Sequence, residues 1–249
     1  INGGKCVTKE DFFLACRAGA ILGTLQAGYT DFKFLPDTTK DIFDREALLG
    51  VSITGWMNNP DILFNAEILE EGANIVRQVN REVAEVIGIN AAARTTCVKP
   101  SGNASVLLQT ASGIHAEHSN MYIRNVQMNK ESEVTQAIQK TNPHMVEESV
   151  WSSGGTDVVV SFPILPKEDS ILKDDLIGVT HLELVKKAQE HWVNAGTNEE
   201  LCADKGIRHN VSNTIIVKDW DEVEDYVFKN RRSFAGISFL SAMGDKDFN

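Results

Sequence analysis

The chain changes character twice between Arg94 and Leu108. Arg94-Thr95-Thr96-Cys97-Val98 has the β-branched composition of a short strand, and Lys99-Pro100-Ser101-Gly102-Asn103-Ala104-Ser105 that of a turn. Val106-Leu107-Leu108 then opens an apolar helix. This geometry directs backbone N–H groups and small hydroxyls out of a helix N-terminus, where an anion is favoured. Gly102 lets a ligand approach the backbone with no Cβ in the way. Ser101, Asn103 and Ser105 can donate to phosphate oxygens, and Lys99 adds positive charge. Pro100-Ser101-Gly102-Asn103-Ala104-Ser105 therefore reads as a phosphate cradle, set against the plainer reading of Pro-Ser-Gly as an ordinary turn.

The flanking segments repeat the alternation of strand and helix. Thr8 followed by Lys9-Glu10-Asp11 reads as an N-cap with an acidic first turn, and the helix after it, Phe12 to about Gly28, places Phe13, Cys16, Ala20 and Leu25 on its apolar positions. Val51-Ser52-Ile53-Thr54 is a strand ending at Gly55. Pro60 to Ile87 is expected as one long helix, with Leu69, Ala73, Val76, Val83 and Ile87 on one face and Gly88 as its C-cap. Met121 to Val126 alternates as a strand, and Lys130 to Lys140 is a polar helix stopped by Asn142-Pro143. Asp157 to Phe162 is an almost continuous apolar run, suited to a strand buried on both faces. Lys173 to Ala195 reads as a helix with Leu182, Val185 and Trp192 inward and Gly196 past its end. Val211 to Val217 and Gly236 to Leu240 are strands separated by a helix over Asp219 to Asn230. Such an order points to an α/β protein with mostly parallel pairing.

Length and charge set outer limits. At 249 residues the chain can build a sizeable core, and 42% hydrophobic with 24% charged residues is ordinary for a globular protein. A net charge of −11 argues against a general nucleic-acid binder, which needs a basic face, although a local nest of N–H groups can still hold a nucleotide. No apolar run approaches the roughly 18 residues of a membrane span, no secretory leader is visible, and the cytoplasm is the default expectation. Cys6, Cys16, Cys97 and Cys202 show neither CxxC nor zinc-ligand spacing and are expected as reduced, mostly buried thiols. The sequence begins on Ile1 instead of Met and ends on Gly244-Asp245-Lys246-Asp247-Phe248-Asn249. That is expected of a fragment, a processed piece or one half of a split protein, here a single partial domain over 1–249.

Several separated strings share an order with one enzyme family. They are Ser52-Ile53-Thr54-Gly55-Trp56-Met57-Asn58-Asn59-Pro60, the Pro100–Ser105 loop, Ala111-Ser112-Gly113-Ile114-His115, His209-Asn210-Val211-Ser212-Asn213-Thr214-Ile215 and Phe234-Ala235-Gly236-Ile237-Ser238. Taken together, from about Phe12 to Phe248, the chain resembles the catalytic subunit of ribonucleotide reductases, in particular the monomeric adenosylcobalamin-dependent (class II) ribonucleoside-triphosphate reductases. The resemblance implies most of the second five-stranded half of a ten-stranded α/β barrel. It also implies reduction of ribonucleoside triphosphates to deoxyribonucleoside triphosphates by cobalamin-initiated thiyl radical chemistry. Adenosylcobalamin would be the cofactor, with no other metal. The partners would be a ribonucleoside triphosphate, the missing N-terminal half and a thioredoxin-type reductant, without direct nucleic-acid binding.

The family's radical cysteine lies in an Asn-Pro-Cys-x-Glu motif between the half-barrels, and no such string occurs here. Asn58-Asn59-Pro60-Asp61 has Asn-Pro without a cysteine. No catalytic residue is therefore expected in this chain; the family's cysteine-bearing tail would lie beyond Asn249. What carries over is the phosphate loop, whose common form is Pro-Ser/Thr-Gly-Thr-x-Ser, so that Asn103 departs from the usual Thr and donates through its amide instead. Cys97 stands where Thr is frequent and reads as a packing residue. His115 follows Ser-Gly-Ile where relatives carry His or Glu, which leaves open a proton relay or, more in keeping with a histidine beside a loop, a structural hydrogen bond. His209-Asn210 leaves open a core polar network or a cofactor-facing role. Trp56, Met57 and Trp151 are expected to be packed, His118 exposed, Asp219-Trp220-Asp221-Glu222 a helix start, and Glu147-Glu148 no metal site. A non-catalytic nucleotide-binding fragment, or one subunit of a split reductase, stays open beside the catalytic reading.

Overall fold

Thr8 starts the first helix by a reciprocal contact. Its hydroxyl accepts the Asp11 N–H at 3.2 Å while the Asp11 carboxylate accepts the Thr8 N–H at 2.9 Å. The computed structural model describes residues 1–243, so the chain end expected of a fragment, Gly244–Asn249, lies outside the described residues. In chain order the elements are α1 (Lys9–Ala27), α2 (Asp37–Glu46), β1 (Val51–Ser52), α3 (Pro60–Leu63), α4 (Ala66–Ile87), β2 (Thr96–Cys97), α5 (Ala104–Leu108) and β3 (Tyr122–Asn129). Then follow α6 (Glu133–Thr141), β4 (Val146–Glu148), β5 (Asp157–Ile164), α7 (Val179–Ala188), β6 (Thr214–Val217), α8 (Trp220–Lys229) and β7 (Ser238–Ser241).

The strands belong to two systems. In the first, β1 pairs parallel with β2, and β6 with β7. Parallel bridges Asn2↔Thr54 and Val98↔Val211 extend the ladder on either side of the β1–β2 pair. Asn2, β1, β2, the 211–217 segment and β7 thus lie side by side in that order, all parallel. The second system is an antiparallel sheet in the order β3-β5-β4, inserted between α5 and α7. The parallel expectation therefore holds for the first system and fails for the second.

Four boundaries differ from the sequence reading, each for a local reason. Pro60 to Ile87 is two helices, because the Asn65 side chain caps α4 by accepting the Ile68 N–H at 3.2 Å. Asp157 to Phe162 is the centre of the antiparallel sheet, with Val158 and Val160 buried and Val159 only partly so; it is covered on one face, not both. The helix expected from Lys173 begins at Val179, after Gly178 turns the chain at φ +56°, and its last turn, Gln189–Asn194, widens into a π-helix. Residues Arg94 to Val98 and Val211 to Val217 are extended, but only short stretches of each form ladders. Helix α2 escapes the sequence reading, since Asp37-Thr38-Thr39-Lys40-Asp41 is too polar to show a face.

The core forms where α1 and α4 cross beneath the parallel strands. Leu69, Ala73 and Val76 are fully buried as expected, and so are Cys16 and Ala20 on α1; there Phe12 is buried where Phe13 was expected, Phe13 being only partly covered, and Leu25 is exposed. Gly72 makes the crossing close: a Cβ there would sit 2.6 Å from the Phe12 ring, which stacks at 5.9 Å against Trp192. Trp56 and Met57 are buried as expected, but Trp151 is 69% exposed, because it lies in the turn between β4 and β5 and not in the core. All four cysteines are free, Cys16 and Cys202 buried, Cys6 and Cys97 partly so. Burial pushes the thiols of Cys6, Cys16 and Cys97 above the usual range, as befits packing residues. Among the described residues, no helix is long and apolar enough to cross a membrane.

Candidate functional site

The 99–105 loop leaves the parallel ladder at the carboxyl end of β2, the end at which open parallel sheets bind ligands. Lys99 fixes the exit: its N–H donates to Ser52 Oγ at 2.9 Å and its ammonium reaches Ser212 Oγ at 3.5 Å. Gly102 turns at φ +54°, and a Cβ built on it would meet nothing within 4 Å, so the loop crest opens outward. Backbone bonds within the loop run from Ala104, Ser105 and Val106 N–H back to Ser101, Gly102 and Asn103 carbonyls. The N–H groups of Ser101, Gly102 and Asn103 make no such bond among the described residues. Asn103 is exposed, and its amide is likewise uncommitted.

The two serines behave differently from the sequence expectation. Thr54 Oγ1 donates to Ala111 O at 2.8 Å and accepts the Gly113 N–H at 2.8 Å. Its proton is thereby assigned, so Ser101 Oγ, 2.8 Å away, must be the donor in their contact. Ser105, fully buried, donates to Gly102 O at 2.7 Å. Both hydroxyl protons are therefore committed inside the protein. The donors left for an anion are the three backbone N–H groups and the Asn103 amide. Gly113 lets the strand of contacts close, since at φ +57° a Cβ would stand 2.9 Å from Lys99 O.

A cation that the sequence reading missed completes the loop. Arg124, from β3, donates through Nη1 to Ser105 Oγ at 2.8 Å and through Nη2 to Gly102 O at 2.9 Å. Its signal was present: Tyr122, Arg124 and Val126 share the inward face of an alternating strand, where a cation has no place in a plain core.

Behind the loop a cleft of about 560 Å³ is lined by Val106 and Gln109 of the loop helix, by Lys5 and Lys167, and on its floor by Asn58 and Glu117. Glu117 is 2% exposed and accepts from Asn58 Nδ2 at 2.8 Å and from the Tyr122 hydroxyl at 2.6 Å. Burial, and then the Glu117 carboxylate, push the Tyr122 hydroxyl above its usual range, so it stays a donor. Asn58 Oδ1 in turn accepts Thr110 Oγ1 at 2.8 Å and the Ala111 N–H at 2.7 Å. Thr54, which reaches Ser101, and Asn58, both within the 52–60 string, thus hold the 110–113 segment that follows α5.

Three histidine rings, His115, His181 and His209, face backbone groups. His115 Nδ1 faces Ser112 O at 3.0 Å and its Nε2 accepts the Thr214 N–H at 3.1 Å, which fixes the Nδ1–H tautomer and occupies both nitrogens. His115 sits behind the loop, not on its open crest. His181 donates to Ile114 O at 2.9 Å, and burial drives its pKa down to about 4. His209 is partly buried and its Nδ1 faces Thr96 O at 3.0 Å, with its pKa lowered chiefly by burial. His118 is exposed, and Asp219 caps α8 through the Glu222 N–H at 3.1 Å, both as expected. Arg94 opens the segment by pairing with Glu46 at 2.7 Å. For Glu46, burial alone would raise the pKa, but the hydrogen bonds and charges of Arg94 and Arg45 together outweigh it and hold the carboxyl below its usual range.

No family model matches the chain. In sequence it is similar to the adenosylcobalamin-dependent ribonucleoside-triphosphate reductase of Euglena gracilis, 24% identical over 169 residues, covering 67% of this chain and 23% of that protein. It is likewise similar to the probable adenosylcobalamin-dependent ribonucleoside-triphosphate reductase of Dictyostelium discoideum, 27% identical over 172 residues, covering 67% of this chain and 22% of that one. In fold it matches the crystal structure of a B-12-dependent (class II) ribonucleotide reductase with a TM-score of 0.62 at 15% identity, over 83% of this chain and 31% of that structure. The chain therefore spans less than a third of the length of each of these proteins. Its likeness is to the adenosylcobalamin-dependent ribonucleoside-triphosphate reductases in sequence, and its fold is that of a class II ribonucleotide reductase.

Proposed function

We propose that this chain is the substrate-phosphate-binding part of an adenosylcobalamin-dependent ribonucleoside-triphosphate reductase, and that reduction takes place only when it is joined to the part carrying the radical cysteine. The observation that carries this reading is the trio of uncommitted N–H groups at Ser101, Gly102 and Asn103. They stand on an open crest at the carboxyl end of a parallel strand. The parallel ladder from Asn2 to β7 suits one five-stranded half of a barrel, whose other half would come from the missing region. The absence of Asn-Pro-Cys-x-Glu from the sequence assigns the radical step to that region.

Adenosylcobalamin is implied by the likeness, and its chemistry would be the generation of the initiating radical. The described residues do not by themselves make a place for it. The buried polar atoms without a partner, Asn2 Oδ1, Ser149 Oγ, Asn210 Oδ1 and Asn213 Oδ1, are dispersed, and none lines the cleft at Glu117. The work of this chain is to bind and orient the triphosphate: backbone N–H groups hold phosphate oxygens, Thr54 and Asn58 hold the loop, and Lys99 adds charge at its entrance.

Mixing the chain with a polypeptide carrying Asn-Pro-Cys-x-Glu and the upstream cysteine tests the reading, with adenosylcobalamin, a dithiol and each ribonucleoside triphosphate supplied. Deoxynucleotide formation that depends on this chain is expected. A mixture in which both parts associate and no deoxynucleotide forms would remove the catalytic reading and leave a nucleotide-binding fragment.

A further inference from the structure

The turn at 111–115 is fastened across three parallel strands. On the β1 side Thr54 holds it, its hydroxyl bonding Ala111 O and the Gly113 N–H. The Gly55 and Trp56 N–H groups add to this hold, donating to Ala111 O at 3.0 Å and to Gly113 O at 3.3 Å. In the middle the turn presses on the exit of β2: a Cβ on Gly113 would stand 2.9 Å from Lys99 O and 3.2 Å from Pro100 Cα. On the β6 side the fastening is a side chain. His115 Nε2 accepts the N–H of Thr214, the first residue of β6, at 3.1 Å. Neither partner of His115 can change its role. Ser112 O, 3.0 Å from Nδ1, can only accept and the Thr214 N–H can only donate, so the ring is held neutral with its proton on Nδ1. An imidazolium would carry a second N–H at Nε2, aimed at the Thr214 N–H.

We propose that His115 is a proton-sensitive latch between the 111–115 turn and β6, closed when the ring is neutral. A proton taken up at Nε2 removes the acceptor of the Thr214 N–H and sets two donors face to face, so the closed form and the imidazolium are incompatible. The latch opens on acidification. Across from it on α7 stands His181, 6.2 Å away and edge to face, which donates to Ile114 O and which burial keeps neutral, its pKa driven down to about 4. On the β6 side the Lys99 ammonium lies 3.5 Å from Ser212 Oγ, and a like charge there disfavours the imidazolium further. Glu117, two residues along, spends its carboxylate on Asn58 and Tyr122. Opening frees the turn from β6 while Thr54 still holds it on the other side, and the 99–105 loop gains freedom at its exit. This release is independent of whether the loop binds phosphate.

The test is amide hydrogen exchange and nitrogen NMR of the full chain between about pH 8 and pH 5. At the alkaline end the His115 ring is expected as the Nδ1–H tautomer, with the Thr214 amide protected. On acidification the Thr214 protection factor should fall about 10- to 100-fold as the ring titrates, while Leu69 and Val76 in the core keep theirs. His115→Gln places a non-titrating amide oxygen where Nε2 stands, so Thr214 should stay protected at both ends of the range. His181→Gln should leave the fall in place, which separates the two rings. A Thr214 amide whose protection is unchanged down to about pH 5, whether or not the ring titrates, overturns the proposal. An equal fall in His115→Gln does the same. Loss of Thr214 and core protection together would mean global unfolding in place of a latch, and overturns it equally. Should the variants fail to fold, the titration of the natural chain decides by itself.

Discussion

Single side chains decide whether the 99–105 segment is a site or a turn. Thr54 makes three contacts with one hydroxyl, and two of them satisfy the Ala111 carbonyl and the Gly113 N–H. Thr54→Val keeps the shape and leaves the buried Gly113 N–H unpaired, while the Ala111 carbonyl keeps the Gly55 N–H at 3.0 Å, so it should destabilise the chain by about 1–3 kcal/mol. Urea denaturation gives that figure directly, and tripolyphosphate affinity should fall with it because Ser101 loses its anchor. A second residue-scale effect is titration of His181. Its pKa is about 4 in the folded chain and near 6.5 when exposed, so the unfolded chain takes up the proton first as pH falls. Its contribution is present above pH 6.5 and declines as pH drops toward 4. Stability curves of the natural chain and His181→Gln should therefore converge in slope outside that window and differ within it. Residues of this kind were legible only in part. Ser101, Gly102 and Asn103 announce themselves by type and spacing. Arg124 and Glu117 do not, because their role comes from a sheet that sequence places some twenty residues away and only the fold brings back.

At the scale of elements, caps and glycines translate from sequence to structure most directly, being short-range. Thr8, Asp219 and Gly88, read from the sequence, each end or begin a helix through a contact within a few residues; Asn65 does the same, although the apolar pattern from Pro60 to Ile87 runs through it as one helix. Longer-range features were less legible. The run Val158-Val159-Val160 is apolar enough for a strand buried on both faces, yet β5 is flanked by β3 and β4 with one face half open. Composition alone does not distinguish these cases, since partner strands and covering helices come from elsewhere in the chain. The α1–α4 crossing permits a sharper test. Gly72→Ala gains about 0.8–1 kcal/mol of helix propensity. It also forces a methyl to within 2.6 Å of the Phe12 ring, which is fully buried and backed by Trp192. Overpacking of a rigid core costs about 1–3 kcal/mol, so the substitution should destabilise on balance, as a lowered melting temperature. A neutral or raised melting temperature would mean that the two helices can separate.

The whole molecule is a parallel ladder carrying a loop, with an antiparallel sheet folded back over it to supply Arg124. On the proposed reading, an acidic chain of net charge −11 holds a polyanion by local attraction, from the oriented N–H groups of the crest and the Lys99 ammonium at its entrance. The alternation of strand and helix made the α/β class legible, while the antiparallel insertion depends on pairing between distant strands and the break at Asn65 on a local cap. The most direct measurement of the central claim is amide NMR of the full chain titrated with tripolyphosphate. Saturable shifts are expected at the Ser101, Gly102 and Asn103 amides and at the Arg124 side chain, with the Thr54–Gly113 region following. Shifts confined to other lysines and arginines, or none at the loop while the ligand binds, would contradict the assignment of the 99–105 loop as the phosphate site.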